Sequence, residues 1–136
     1  MINGDAGEVV IGTESDIVVA RRAVRDIAAR IGFNATDTTR IVTAASELAR
    51  NVYKYGRGGV MHWRTVHNGR VKGVELVFED KGPGIPDIDE GMREGYSTGG
   101  GLGIGLPGTK RLMDEMEIRS AVGKGTAVTV RRWRRS

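Results

Sequence analysis

The stretch Val77-Phe-Glu-Asp80-Lys-Gly82-Pro-Gly84-Ile-Pro86 joins an apolar run to a loop of glycine and proline. A carboxylate at the end of a predicted strand offers a hydrogen-bond acceptor, and the two glycines allow a flat ring to approach the backbone. This arrangement is typical of a ligand site, although the same residues also suit a simple glycine–proline turn. Taken alone, the stretch leaves both interpretations open.

The residues around this loop predict two β-hairpins. Upstream, residues 60–66 and 71–78 have the composition of strands and flank Asn68-Gly69, a strong turn signal. Near the C-terminus, residues 118–122 and 127–133 predict a second hairpin around Gly123-Lys124-Gly125. A further short strand is predicted at residues 8–11.

Three helices are predicted between the strands. The first begins near Ser15 as N-cap and ends at Gly32, the second begins near Thr36 or Asp37 and ends before Gly56, and the third covers residues 106–116. The first two carry apolar residues at helical spacing: Ile17, Ala20, Val24, Ile27, Ala28 and Ile31, then Ile41, Ala45, Leu48, Ala49 and Val52.

The order of these elements predicts an α+β fold, a two-layer sandwich in which helices cover one face of a mixed, mostly antiparallel sheet. With 136 residues, neither repeats nor a linker, the chain is expected to form a single domain over residues 1–136. The chain has no cysteine, which excludes a disulfide scaffold and a thiolate metal site. The absence of a signal-like N-terminus and of a long apolar stretch leads us to expect a cytoplasmic protein.

Charge is distributed unevenly along the chain. Residues 75–94 contain seven acids and two bases, whereas residues 119–136 contain six bases and no acid. A basic C-terminal stretch suits nucleic acid, an acidic partner or a solubilising chain end. Aromatic residues make up only 5% of the chain, so the composition does not favour a nucleic-acid stacking platform.

Two further patterns suggest chemistry. Glu47 and Asn51 are four residues apart on the second predicted helix, so both lie on one face, about 6 Å apart along the axis. A carboxylate and an amide there suit a hydrated Mg²⁺ or a substrate hydroxyl, but also an ordinary solvated surface.

Residues 99–106 read Gly-Gly-Gly-Leu-Gly-Ile-Gly-Leu before the third helix, where backbone N–H groups would meet phosphate oxygens. The chain contains no Walker-type P-loop sequence.

Together these motifs resemble the GHKL ATPase superfamily, in particular its small serine-kinase and anti-sigma branch. The resemblance rests on four segments in the family's order: Glu47-Leu-Ala-Arg-Asn51, Asp80-Lys-Gly82-Pro-Gly84, Gly101-Leu-Gly103-Ile-Gly105-Leu and Gly123-Lys-Gly125-Thr126. They extend over nearly the whole chain. Within that branch, the amino-acid sequences of these segments are most similar to those of the switch kinases of stressosomes.

The resemblance implies a Bergerat-type fold that binds ATP and Mg²⁺. In that fold Asp80 would accept from the adenine amino group, Thr126 would join through water, and Gly82 and Gly84 would let the base approach. Asn51 would ligate Mg²⁺, and Glu47 would orient or deprotonate a substrate serine. The glycines of the second glycine segment would close over the triphosphate: Gly101, Gly103 and Gly105.

The resemblance also implies protein partners. It predicts a serine/threonine kinase whose substrates are STAS-domain proteins of an RsbS/RsbR type, and which then activates an RsbU-like phosphatase. Two alternatives stay open: an anti-sigma factor kinase that binds a sigma subunit directly, and a nucleotide sensor with little catalysis. The segment between Pro86 and Gly101 is shorter than the lid of the anti-sigma kinases, and residues 97–100 carry no charge, which favours the switch kinases. Neither nucleic acid nor membrane is an expected partner.

Overall fold

The structure, a computed structural model, describes residues 5–82 and 106–135. Within these ranges the chain forms five strands and three helices. The strands are β1 (Ala6–Ile11), β2 (Gly59–Asn68), β3 (Val71–Asp80), β4 (Glu115–Ala121) and β5 (Gly125–Trp133). The helices are α1 (Glu14–Ile31), α2 (Ala35–Lys54) and α3 (Leu106–Leu112).

The strands form one open sheet in the order β1-β2-β3-β5-β4. The expected α+β class is confirmed, and each neighbouring pair of described strands is antiparallel, so the sheet is not mixed over these residues. Because β5 inserts between β3 and β4, the end of β3 lies beside the start of β5. Asp80 is therefore the cross-strand partner of Thr126, a residue 46 positions later in the chain.

The helices pack on one face of the sheet, as expected from their apolar stripes. Every residue of the two predicted stripes is buried, and the alternate β3 residues Val74, Leu76 and Phe78 are buried with them. This single core holds α2 against the end of β3, which positions the site described below. None of the helices in residues 5–82 and 106–135 is long and apolar enough to cross a membrane.

The first helix begins earlier than expected. Its N-cap is Thr13 rather than Ser15, which lies inside the helix. The reason is Asp16, whose carboxylate accepts hydrogen bonds of 2.9 Å from the backbone N–H groups of Gly12 and Thr13 and so organises the first turn. The same bonds lower the pKa of the Asp16 carboxyl. The predicted end at Gly32 is confirmed, because Gly32 adopts a left-handed conformation with φ of 101°.

The third helix ends at Leu112, so the predicted end at Met116 was wrong. Met116 lies in β4, where it pairs with Val130. The connection at Asp114 continues the contact with β5: its N–H donates to the Arg131 carbonyl and its carboxylate accepts from the Trp133 N–H at 2.8 Å. These long-range bonds draw the chain into the sheet one turn before the helical pattern ends.

Both hairpin turns are shifted by one residue from their predicted positions. In the first, Asn68 pairs with Val71, so the two-residue loop is Gly69-Arg70 rather than Asn68-Gly69. In the second, Ala121 pairs with Gly125, so Gly125 belongs to β5 rather than to the turn. The second shift matters for the site, because it places Gly125 and Thr126 in register with the end of β3.

The basic C-terminal stretch is part of the fold rather than a free, solubilising end. Arg131 pairs with Glu75 and Glu115, Arg132 with Asp37, and Arg135 with Asp114. Arg134 donates to the carbonyl oxygen of Ile31 at 2.9 Å. These four arginines thus tie β5 to both helices of the N-terminal half and to the connection before β4.

Candidate functional site

A cavity lies between α2, α3 and the centre of the sheet. Five of the side chains that line it are apolar: Leu48, Val52, Phe78, Leu106 and Val128. Three are polar: Asn51, Asp80 and Thr126. An apolar cavity with a few convergent polar groups is the usual form of a small-molecule site, and apolar walls suit a flat ring.

Three glycines surround Asp80. A side chain at Gly56 would overlap the Asp80 carboxyl group, and one at Gly82 would overlap the backbone of Gly56. A side chain at Gly125 would collide with the Asp80 carbonyl oxygen, and its φ of 86° also disfavours other residues. The end of α2, the loop after β3 and the start of β5 therefore approach one another only because these positions have no side chain.

The Asp80 carboxyl group is half-buried and has two backbone hydrogen-bond donors. Burial raises the pKa of Asp80, while the N–H groups of Gly82 and Thr126 favour its charged form and oppose that rise. The Gly82 N–H donates to Oδ1 at 2.8 Å. Asp80 is thus a fixed hydrogen-bond acceptor in the wall of a mostly apolar cavity.

Thr126 is almost fully buried beside Asp80, with 9% of its surface exposed. Its hydroxyl oxygen lies 2.9 Å from the hydroxyl of Ser120, its cross-strand partner on β4. Ser120 in turn donates to the Gly125 carbonyl at 3.1 Å. Ser120 is not among the residues predicted from the sequence, because nothing in the segment around it marks a site before β4 is paired with β5.

The two polar residues of α2 have different surroundings. Asn51 lines the cavity and is partly buried. Glu47, one turn earlier, lies outside the residues that line the cavity; its side chain is 37% exposed and pairs with Arg50 at 3.2 Å. Glu47 is therefore a partly exposed residue one helical turn from a residue that lines the cavity.

Within the described ranges, no cluster of three or more histidine, cysteine, aspartate or glutamate residues is arranged to hold a metal ion. A magnesium ion bound through one amide and the oxygens of a phosphate ligand needs no such cluster. Asn51, as an amide at the edge of an apolar cavity, fits that kind of ion. The chemistry of this donor set therefore suits a metal that arrives with a phosphorylated ligand.

The structure thus brings together Asn51, Asp80 and Thr126, with Gly82 beside them. The predicted site residues Gly84, Gly101, Gly103 and Gly105 lie outside the described residues, as does the short segment between Pro86 and Gly101. Gly56 was missed as a site residue, because a glycine after a helix reads as an ordinary stop signal. The crowding between Gly56 and Asp80 exists only once α2 and β3 are packed.

Comparison with known proteins identifies the family. Residues 12–132 match the model of the histidine kinase-like ATPase domain. The fold is also that of a solved structure, the RsbU and RsbW domains of Rv1364c from Mycobacterium tuberculosis, with a TM-score of 0.67 and 21% identity over 96% of this chain and 33% of that one. At that identity the likeness concerns the fold alone.

Two kinds of relatives are similar over most of their length. The serine/threonine-protein kinase RsbT of Bacillus subtilis is 49% identical over 131 residues, which cover 96% of this chain and 98% of RsbT. An anti-sigma F factor of Geobacillus stearothermophilus is 30% identical over 120 residues, covering 83% of this chain and 81% of the factor. The expected enzyme class, a serine/threonine-protein kinase, is confirmed by the first of these. The chain belongs to the family of histidine kinase-like ATPase domains, as the resemblance to GHKL proteins implied.

Proposed function

We propose that this chain is a cytoplasmic Mg²⁺-ATP-dependent kinase that phosphorylates a serine of a STAS-domain protein and then binds an RsbU-like phosphatase. The single observation that carries the proposal is the convergence of Asn51, Asp80 and Thr126 on one apolar cavity. Asp80 suits a purine base, and Asn51 suits a metal-bound phosphate. Glu47, one helical turn before Asn51, suits a protein hydroxyl. The remaining steps follow from the chemistry of each group.

Adenine occupies the apolar part of the cavity. The Asp80 carboxylate accepts from the exocyclic amino group, and Thr126 stands beside it on the next strand. The glycines that crowd Asp80 keep the carboxyl group in one place, so little of its freedom is lost on binding. Gly82 supports the carboxylate through its N–H, and Gly84 is proposed to border the base.

The triphosphate extends from the cavity toward α3. Asn51 would supply an amide oxygen to Mg²⁺ bound with the phosphates. When bound, the ion neutralises charge on the phosphates during transfer. Gly101, Gly103 and Gly105 are proposed to contact the phosphates from the segment before α3, which begins at Leu106.

Glu47 acts on the substrate hydroxyl. It lies one turn before Asn51 on the same helix, with its carboxylate partly open to solvent and therefore within reach of a docked protein. Its carboxylate orients the serine hydroxyl and takes its proton as the γ-phosphoryl group is transferred. Arg50 holds the carboxylate at 3.2 Å and limits its rotamers.

Phosphorylation is proposed to release the substrate. A phosphoserine carries about −1.5 to −2 charges, and it would face the Glu47 carboxylate directly and the Asp80 carboxylate at longer range, from the adenine end of the cavity. The acidic stretch at residues 75–94 adds less to this repulsion than its composition suggests. Glu75 is enclosed by Arg64 and Arg131, and Glu79 lies 2.7 Å from His62. Repulsion from Glu47 and Asp80 would free the kinase for a second partner.

Incubation of the chain with labelled ATP, Mg²⁺ and a STAS-domain protein encoded beside it tests the kinase proposal. We expect label on one serine of the partner and none when that serine is alanine. A chain that binds ATP but labels no STAS protein, and instead co-purifies with a sigma subunit, would favour the anti-sigma alternative supported by the 30% identical relatives.

Calorimetry tests the release step separately. A STAS partner with aspartate in place of the target serine should bind more weakly than the alanine form, by up to about two orders of magnitude. Equal affinities would show that the charge does not act as the release signal, while leaving the kinase activity itself standing.

A further inference from the structure

The hydroxyl groups of Ser120 and Thr126 lie 2.9 Å apart, where β4 pairs with β5. Both residues point to the helix-covered face of the sheet, where β4 and β5 pair them directly. Thr126 lines the cavity with Asp80, whereas Ser120 stands behind it. Neither the sequence motifs nor the proposed roles above use Ser120.

The Gly125 carbonyl favours one direction for the hydrogen bonds in this pair. A carbonyl oxygen only accepts, so Ser120 is the donor in its 3.1 Å contact with the Gly125 oxygen. Either hydroxyl could be the donor in the 2.9 Å contact between Ser120 and Thr126, and with the Ser120 proton on the Gly125 oxygen the donor is Thr126. Thr126 has no second hydroxyl proton to offer.

From this relay we infer that Ser120 determines purine specificity by holding the Thr126 hydroxyl as an acceptor toward the cavity. In this arrangement Thr126 donates a hydrogen bond to Ser120, and Ser120 donates one to the Gly125 carbonyl. The lone pairs of the Thr126 oxygen then remain for the ligand. Together with the Asp80 carboxylate, the wall then presents two neighbouring side-chain acceptors. Ser120 is a positioning residue, since it acts through Thr126.

Two adjacent acceptors discriminate between purines by their substituent at position 6. An amino group carries two N–H donors and satisfies both, directly or through a water molecule. A carbonyl at the same position offers only lone pairs, so an acceptor that faces position 6 is left unmatched, and the neighbouring N1–H of a 6-oxo purine can serve at most one of the two acceptors. The inference rests on the proposed adenine site and extends it to selection against 6-oxo purine nucleotides.

The test compares ATP with inosine triphosphate, which carries a carbonyl in place of the 6-amino group. Dissociation constants for both nucleotides are measured with Mg²⁺ on the wild type, Ser120→Ala, Ser120→Thr, Thr126→Val and the double variant Ser120→Ala/Thr126→Val. The readout is the ratio of the two constants on one sample, which a misfolded fraction does not change. Thermal unfolding of each variant is recorded alongside.

In Ser120→Ala the Thr126 proton loses its acceptor and can turn to a 6-oxo group. We expect its preference for ATP to fall about tenfold, the effect of one matched hydrogen bond. Ser120→Thr, which keeps the hydroxyl, should retain the wild-type ratio. The double variant should match Thr126→Val, because Ser120 is proposed to act on the base through the Thr126 hydroxyl.

An unchanged ratio in Ser120→Ala would overturn the role of Ser120 while leaving the adenine site standing. A ratio that falls further in the double variant than in Thr126→Val would also overturn it, since Ser120 would then act independently of Thr126. Failure of the wild type to bind either nucleotide would overturn the adenine site itself, and this inference with it.

Discussion

The α-carbon of Gly56 and the carboxyl group of Asp80 are packed so closely that no side chain fits between them. Gly56 follows α2 and Asp80 ends β3, so this contact joins the helix that carries Glu47 and Asn51 to the strand that carries the purine acceptor. The distance between the two halves of the site depends on it. Its disruption should therefore affect nucleotide binding more than folding.

Gly56→Ala is expected to weaken ATP binding by about tenfold to a hundredfold. The added methyl group displaces the Asp80 carboxylate, and overpacking of this kind typically costs about 1–3 kcal/mol. Titration calorimetry with Mg²⁺-ATP measures the effect. Gly12→Ala is the matched control, because its methyl group would meet no atom closer than 3.8 Å. Equal affinities for the two variants would show that the contact does not position Asp80.

Substitutions of Glu47 and Asn51 should affect different steps, phosphoryl transfer for Glu47 and nucleotide binding for Asn51. Glu47→Gln keeps the size of the side chain and an acceptor for Arg50 but removes the base, so we expect near-normal ATP affinity and a 10²–10⁴-fold loss of transfer. Asn51→Ala should instead weaken ATP binding in the presence of Mg²⁺ and have little effect without it. Affinity and single-turnover rates measure the two effects. Full activity of Glu47→Gln would place the base elsewhere.

Arg132 should be important for stability. Its side chain is only 11% exposed and bonds to Asp37 at 2.9 Å and to the Leu112 carbonyl at 3.2 Å. Arg132→Ala leaves the poorly exposed Asp37 carboxylate without this partner, so we expect a loss of about 3 kcal/mol in the free energy of unfolding.

Urea denaturation measures this loss, with Arg119→Ala as the control. Arg119 pairs with Glu117, but both side chains are more than half exposed, so its removal should change stability by less than about 1 kcal/mol. A similar, small loss for both variants would show that the Arg132 contacts contribute no more than surface pairs.

Glu75 should make the fold sensitive to acid. The hydrogen bond from Arg64 is the largest influence on the Glu75 carboxyl, and a further hydrogen bond from Arg131 acts in the same direction. Burial opposes them, but together they lower the pKa of Glu75 below its ordinary value of 4.5. A lowered folded-state pKa contributes stability that is fully present above pH 4.5 and is lost as the pH falls through the folded value. The wild type should therefore exceed Glu75→Gln in stability at pH 7, and the difference should shrink below pH 4.5.

Urea denaturation at several pH values checks this dependence. Glu117→Gln is the matched control, since Glu117 is well exposed on the same sheet face and pairs with a single arginine, Arg119. A gap between wild type and Glu75→Gln that stays constant from pH 7 to about pH 3 would contradict the assignment.

Most elements could be predicted because their signals are local. Apolar spacing located α1 and α2, and strand composition beside turn signals located the strands, since these patterns depend on residues that are close in the sequence. The start of α1 was missed through a local contact of Asp16, whereas the end of the third helix was missed because distant residues intervene. The third helix stops at Leu112 because Asp114 bonds to β5, and no pattern within the helix reports that contact.

The site shows the same division. Asp80 and Asn51 stand in short patterns that are visible in the sequence, an acid before glycines and a polar pair on a helix, but their roles and that of Thr126 were predicted from the resemblance to the GHKL proteins. Ser120 and Gly56 were missed. Each acquires its place only from a partner on another element: Ser120 from β5 and Gly56 from the end of β3.

By itself, the sequence determined the α+β class, the faces that the helices bury, and the residue types available for binding and transfer. Only the tertiary structure decided which charged side chains are paired within the fold and which remain available to bind a partner. The basic C-terminal stretch reads as a free surface, yet Arg131 and Arg132 are bound to Glu75 and Asp37. The physical reason is that β5 inserts between β3 and β4, and the order and register of strands depend on packing across the whole sheet.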